Sequence, residues 1–198
     1  MIRPVLLISA LMLAGCASHD GRPENARISS VQRVEVTVTR DIVYTPAGWP
    51  QELRADLYQP VGNGPFPAVV MIHGGGWEGR SREDMTDISR QVAARGYVVL
   101  NVSYRFAPQW HFPAQLQDVQ QGVLWLRAHA AEHKVSTNRI GTWGYSAGAH
   151  LAALAGVTGP GDRWFVEGSR VQAVVAGGTP VDLRYYKGGA LTNGLTGV

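Results

Sequence analysis

The chain has 198 residues, room for one ordinary domain and too few for two. Hydrophobic residues make up 45% and charged residues 17%, with 24 glycines and 11 prolines spread without a period, which excludes a collagen-like or disordered chain. Lys and Arg number 18 against 15 Asp and Glu, a net charge of +3, and no basic run occurs, so nucleic acid is not an expected partner.

Residues 1–16 read MIRPVLLISALMLAGC. One arginine precedes about a dozen mostly apolar residues, short of the ~20 that a membrane-spanning helix needs. This is the pattern of a secretory leader, with the small residues Ala14 and Gly15 before the cut. Leu13-Ala14-Gly15-Cys16 resembles the lipobox of bacterial lipoproteins. The resemblance implies that residues 1–15 are removed and that Cys16 is acylated as the first mature residue. Cys16 is the only cysteine, so no internal disulfide can form. Several acyl chains, at ~0.8 kcal/mol per buried CH2, would then bind the membrane firmly. Ala17 and Ser18 after the cysteine imply, by the same resemblance, the outer membrane of a Gram-negative cell rather than the inner one. Residues 16–30 become a lipidated end and a polar tether. The competing reading is a simple leader that ends at an incidental cysteine.

From residue 31 the character changes to that of a globular domain, expected to run over 31–198. Val31, Val34, Val36 and Val38 alternate with polar residues, and Ile42-Val43-Tyr44 follows, which predicts a half-exposed strand. Thr45-Pro46-Ala47-Gly48 breaks it, and Leu53–Tyr58 alternates again, the second member of an antiparallel pair. Ala68-Val69-Val70-Met71-Ile72 is a continuous apolar run, as in a parallel strand covered on both faces. Ser81 with Asp84 three residues on resembles a capping box, Met85, Ile88 and Val92 follow at helical spacing, and Gly96 stands where that helix should end. Tyr97–Val102 is a second buried strand, and Leu116, Val119, Val123, Leu126 and Ala130 mark an amphipathic helix. Ile140–Trp143 is a short strand, Ser146 to about Ala155 a helix, and Val171–Ala176 a further strand, apolar as a central one would be, which without a following strand is expected to be a bare hydrophobic edge. Residues 187–198 are loop-like. Alternating strands and helices predict an α/β fold: a mostly parallel sheet with helices on both faces and antiparallel strands at the N-terminal edge.

Two motifs carry chemistry. Gly144-Tyr145-Ser146-Ala147-Gly148 fits G-x-S-x-G and falls between a strand and a helix, where a sharp turn pushes a serine hydroxyl clear of the sheet. His73-Gly74-Gly75-Gly76 follows the strand 68–72. Such a loop could be a flexible linker or a cradle of backbone amides for an anion. No Lys-Ser/Thr and no G-x-G-x-x-G spacing accompanies it, which argues against a nucleotide. Both motifs fall at carboxyl ends of parallel strands, where open α/β sheets bind ligands. No cluster of His, Cys or carboxylates has metal-ligand spacing.

Taken together, His73–Trp77, Ser103-Tyr104-Arg105-Phe106-Ala107-Pro108, Phe112-Pro113-Ala114 and Gly144–Gly148 resemble the α/β-hydrolases of the bacterial carboxylesterase type. The hormone-sensitive-lipase-like and feruloyl-esterase-like groups are nearest, and the resemblance spans about residues 31–183. It implies a cofactor-free serine esterase acting through an acyl-enzyme. Ser146 matches the nucleophile. The backbone N–H groups of Gly75, Gly76 and Ala147 match the oxyanion donors. His73 and Gly74 match loop-positioning residues, His73 not being the base. Trp77, Tyr104, Trp110 and Tyr145 fall in or beside loops expected at the pocket mouth, which would suit a small acyl or aryl ester such as a feruloyl or acetyl group on plant polysaccharide.

The base and its acid are missing from this pattern. The fold's chain order is Ser, then Asp or Glu, then His, yet no histidine follows His150. His19 is in the tether, and His111 is in a loop ahead of Ser146. His129 and His133 are expected on a solvated surface, and His150 lies one turn along the nucleophile's own helix. Asp182 is a possible acid, at a place where a minority of α/β-hydrolases carry it, whereas the esterases this chain most resembles place it one strand later. The family would continue with two more strand–helix units of ~30 residues each, so this chain reads as a truncated esterase that lacks them and is feeble or inactive by itself. A non-catalytic, lipid-anchored homologue with a binding role is the alternative.

Overall fold

The computed structural model describes residues 33–183. The leader, Cys16, the tether and the start of the first expected strand at Val31 lie outside the described residues, as does the segment 187–198. Six strands form one sheet in the order β1-β2-β4-β3-β5-β6. They are β1 (Val36–Val43), β2 (Arg54–Pro60), β3 (Phe66–Ile72), β4 (Val98–Val102), β5 (Val135–Tyr145) and β6 (Ala173–Gly177). The first two pair antiparallel, β2 runs antiparallel to β4, and β4, β3, β5 and β6 are mutually parallel. The two N-terminal segments read as one interrupted strand are a single strand. A bulge between Thr39 and Ile42, with Asp41 at φ 58, breaks its period of two.

Three helices cover the sheet: α1 (Thr86–Ala93), α2 (Ala114–Ala128) and α3 (Ala147–Val157). Alternation along β3 sorts the two faces. Ala68, Val70 and Ile72 join a core with Leu116, Val119, Val123 and Leu126 of α2 and Leu151, Ala152 and Ala155 of α3. Val69 and Met71 point the other way, to Met85, Val92 and Ala93 at α1. The central strands are therefore apolar on both faces, which is why their sequences show no alternation.

One local expectation is corrected. Ser81 does not close a capping box with Asp84: its Oγ accepts from the Glu83 N–H at 3.2 Å at the head of a single 3₁₀ turn, Arg82–Met85, and Asp84 pairs with Arg80. The apolar strand β6 is an edge of the described sheet, as expected, with Val174 and Val175 exposed.

Candidate active site

Parallel pairing puts the two motifs side by side. Ile72 of β3 is in register with Gly144 of β5, so the residues that follow each strand leave the sheet at the same end. Ser146 is the hinge between β5 and α3, with φ 54 and ψ −121, a left-handed conformation that costs a non-glycine residue about 1–3 kcal/mol. Three contacts hold it there. The Ser146 N–H donates to Gly177 O at 2.8 Å, its carbonyl accepts from the His150 N–H at 3.1 Å, and the glycines on either side permit the tight turn. A Cβ on Gly144 would strike the backbone of Gly148, and one on Gly148 would strike the carbonyls of Ile72 and His73. Since α3 starts at Ala147, its unpaired first-turn N–H groups and the positive end of its dipole lie at the serine.

The glycine loop crosses directly over this turn. A Cβ on Gly74 would lie 3.0 Å from Tyr145 O and 3.3 Å from Ser146 Cβ, so only a residue without a side chain fits between loop and serine. Gly75, Gly76 and Trp77 follow with φ of 121, 62 and 64. His73 lies sealed beneath the loop. Its Nδ1 is 2.7 Å from Gly74 O, and because a carbonyl can only accept, Nδ1 carries the proton. Its Nε2 is buried without a partner, the ring stacks on Tyr104, and burial lowers its pKa, so the imidazole is neutral.

The remaining expected site residues separate into two groups. Tyr145, beside the serine, is exposed, and Trp110 is half-buried with its Nε1–H donating to Gln51 Oε1 at 3.1 Å. Trp77 and Tyr104 are each only 2% exposed and pack behind the loop rather than at its mouth. His150 is half-buried, edge-on to Trp77 at 5.3 Å, and burial lowers its pKa as well. His129 and His133 are not on a freely solvated surface: both stack on Trp125, at 4.2 and 5.3 Å. His111 is exposed ahead of α2, and Asp182 is half-buried five residues beyond β6.

One pair escaped the sequence reading. Arg105 and Asp118 are fully buried together, with Nη2 2.8 Å from Oδ1, and the Trp49 Nε1–H also donates to Asp118 Oδ1 at 2.9 Å. Burial pushes the Asp118 carboxyl up, and the hydrogen bonds and charge of Arg105 pull it back. The available signal was a carboxylate amid the apolar positions of α2. Among the described residues no group of three or more His, Cys, Asp or Glu could hold a metal ion. A cavity of about 630 Å³ lies between α1 and the sheet, lined by Ile88 and Val92 of α1, Val69 of β3, Gly141 to Trp143 of β5 and Val175 of β6, and includes no residue of either motif.

The BD-FAE family profile matches residues 55–194. The chain is similar to the esterase LipC of Mycobacterium tuberculosis, 38% identical over 96 residues, which are 48% of this chain and 24% of that protein. It is 30% identical over 173 residues to the probable isoprenylcysteine alpha-carbonyl methylesterase ICMEL1 of Arabidopsis thaliana, covering 84% of this chain and 36% of the relative. A solved bifunctional GH43-CE of Bacteroides eggerthii superposes with a TM-score of 0.64 at 29% identity, over 74% of this chain and 21% of the other. The matched part spans 24% to 32% of the length of LipC and of the related LipM and LipN. The paired motifs, the strand order and these matches lead to one assignment: the chain belongs to the BD-FAE family, on the α/β-hydrolase fold it shares with esterases.

Proposed function

We propose that the protein is a serine carboxylic-ester hydrolase that works through an acyl-enzyme on small acyl or aryl esters. The observation that carries this reading is the left-handed Ser146 with Gly74 packed against it, its virtual Cβ 3.3 Å from Ser146 Cβ. In this reading Ser146 Oγ attacks the ester carbonyl and loses its proton to a base. The carbonyl π electrons move onto oxygen, and the oxyanion is held by the N–H groups of Gly75, Gly76 and Ala147 at the head of α3. Removing one such donor typically costs ~3–4 kcal/mol of transition-state stabilisation. Collapse expels the alcohol with a proton, and water then cleaves the acyl-serine to release the acid and restore Ser146. Exposed Tyr145, next to the serine in the chain, supplies aromatic surface there, which supports an acyl or aryl group such as feruloyl or acetyl on a polysaccharide, and half-buried Trp110 would add to it from the loop ahead of α2. Trp77 and Tyr104 would act from behind the loop.

Asp182 takes the place of the acid in this reading. His73 is sealed under the loop and His150 is turned against Trp77, so neither is assigned as the base. The 198-residue chain is accordingly expected to be feeble. Oxyanion stabilisation and binding alone leave ~10³–10⁴ over water in a serine protease stripped of its triad. Hydrolysis of nitrophenyl acetate and butyrate by the purified chain should lie far below ordinary rates of ~1–10³ per second, and the acyl group that intact-mass measurement finds on the chain should be absent from Ser146→Ala. An acyl group that still adds to Ser146→Ala would refute the assignment.

The lipid anchor at Cys16 belongs to the same proposal, supported by Leu13-Ala14-Gly15-Cys16. It would place the enzyme on the outer membrane of a Gram-negative cell. Labelled palmitate should enter the protein in such a host and be lost in Cys16→Ser; labelling that persists in the variant contradicts the anchor.

A further inference from the structure

Three successive glycines make a floppy carrier for two catalytic amides, because glycine alone imposes almost no backbone preference. An oxyanion donor has to be held to within about 0.5 Å to be worth its hydrogen bond. Something outside the loop must therefore stiffen it.

One segment grips both ends of the glycine span. The Tyr104 hydroxyl donates to His73 O at 3.1 Å, and its ring lies stacked on the His73 imidazole at 4.5 Å. Three residues later the Ala107 N–H donates to Trp77 O at 3.0 Å. His73 and Trp77 are the residues that flank Gly74-Gly75-Gly76. The segment 103–107 is itself pinned from four directions. Tyr44 Oη donates to Ser103 O at 2.6 Å, and the Ser103 N–H donates to Arg54 O at 3.0 Å. Arg82 Nη1 donates to Ser103 Oγ at 3.0 Å. Asp118 Oδ2 accepts from the Arg105 N–H at 2.9 Å, while the Arg105 guanidinium is locked by Asp118 and lies over the rings of Trp49 and Trp110 at 5.6 and 5.0 Å. The brace is thus anchored in β2, the 3₁₀ turn and α2, and it meets the residues flanking the glycines through Tyr104, Ala107 and Phe106, whose ring stands edge-on to His73 at 5.8 Å.

We propose that Tyr104 is a positioning residue for the oxyanion loop: its hydroxyl, held by the pinned segment 103–107, fixes the His73 carbonyl and with it the orientation of the Gly75 and Gly76 amides above Ser146. The catalytic half of this statement rests on the esterase reading; the mechanical half does not.

Tyr104→Phe isolates the hydroxyl, since the ring, its volume and its stacking on His73 stay. Two readouts follow. Hydrogen exchange is measured at the Glu78 N–H, which donates to Gly75 O at 3.1 Å, and at the Ala107 N–H. Both should speed up by about fivefold to tenfold, the equilibrium worth of one ordinary hydrogen bond, while amides inside α2 stay as they were. The second is phosphonylation of Ser146 by an aryl phosphonate ester. Its maximal rate should fall by a similar factor with the half-saturating concentration unchanged, because the donors act on the developing oxyanion and not on initial binding. Tyr58→Phe is the control: Tyr58 is buried in the α1-side core with its hydroxyl unpartnered, and the variant should alter neither readout. Unchanged loop exchange in Tyr104→Phe overturns the proposal, and so does acceleration that extends equally to α2. If wild-type Ser146 takes up no phosphonate, the esterase reading fails, and loop exchange alone still decides whether Tyr104 is the clamp.

Discussion

Ser146 occupies a conformation that its side chain disfavours, and the neighbouring glycines make it tolerable. This makes glycine the most informative residue type in the site, and the positions are not equivalent. A methyl on Gly148 would be driven into the carbonyls of Ile72 and His73, both fixed in or beside the sheet, so Gly148→Ala should lower stability by about 3 kcal/mol or more. Gly79 has open space around the same atom and no left-handed φ, so Gly79→Ala should stay within about 0.5 kcal/mol. Urea unfolding of the two variants checks the contrast, and equal midpoints would contradict it. The half-buried His150 yields a pH prediction. Burial lowers its pKa in the fold, so below the ordinary value of about 6.5 the unfolded chain binds more protons and stability falls with pH. From about pH 7.5 to about pH 5.5 the urea midpoint of wild type should therefore drop further than that of His150→Gln. A constant difference between the two would exclude the effect. The two motifs are brought together, with Gly74 against Ser146, as their places at the ends of parallel strands suggest. The burial of Trp77 and Tyr104 was hidden, because an aromatic residue in a loop looks the same whether it faces solvent or backs the loop.

Elements were legible where one period ruled. Leu116, Val119, Val123 and Leu126 step along one face of α2, and all four are fully buried. The strand β5 was under-read. Its first half, Ser136 to Arg139, is polar and spans an irregularity in the register with β3 between the Val135 and Ile140 pairs, so only the apolar stretch 140–143 stood out of the observed Val135–Tyr145. In β6 the apolar run was legible, and hydrophobicity reports what a strand could bury and not what covers it. The element-scale consequence that composition least suggests is the Arg105–Asp118 pair, which ties α2 to the loop after β4. Removing one partner strands a buried charge, so Asp118→Ala should cost about 3–5 kcal/mol. Replacing both, as Arg105→Met with Asp118→Leu, should recover most of that loss in urea unfolding. A double variant no more stable than Asp118→Ala would mean that the pair's other hydrogen bonds, to Trp49 and to the Ala114 carbonyl, dominate.

At the scale of the whole molecule, the sheet carries a filled core against α2 and α3 and a thinner one against α1. Among the described residues nothing pairs with the outer edge of β6, where Val174 and Val175 are 39% and 46% exposed. A bare apolar edge is a template for another chain. Sedimentation velocity should show association that grows with concentration, and Val175→Lys should weaken it; a protein that stays monomeric, or a variant that associates as readily, would exclude this edge as the cause. The fold class followed from alternating strands and helices, and the bare edge from an apolar run with no further strand pattern read after it. The central claim is that this fold presents Ser146 as a nucleophile to ester carbonyls. Intact-mass and peptide-mapping mass spectrometry after treatment with an aryl phosphonate ester tests it most directly. One phosphonyl group on Ser146, gained slowly over a long incubation with excess reagent because no base is assigned, and absent from Ser146→Ala, is the predicted result. A label on another residue, the same uptake by Ser146→Ala, or no label on wild type would contradict it.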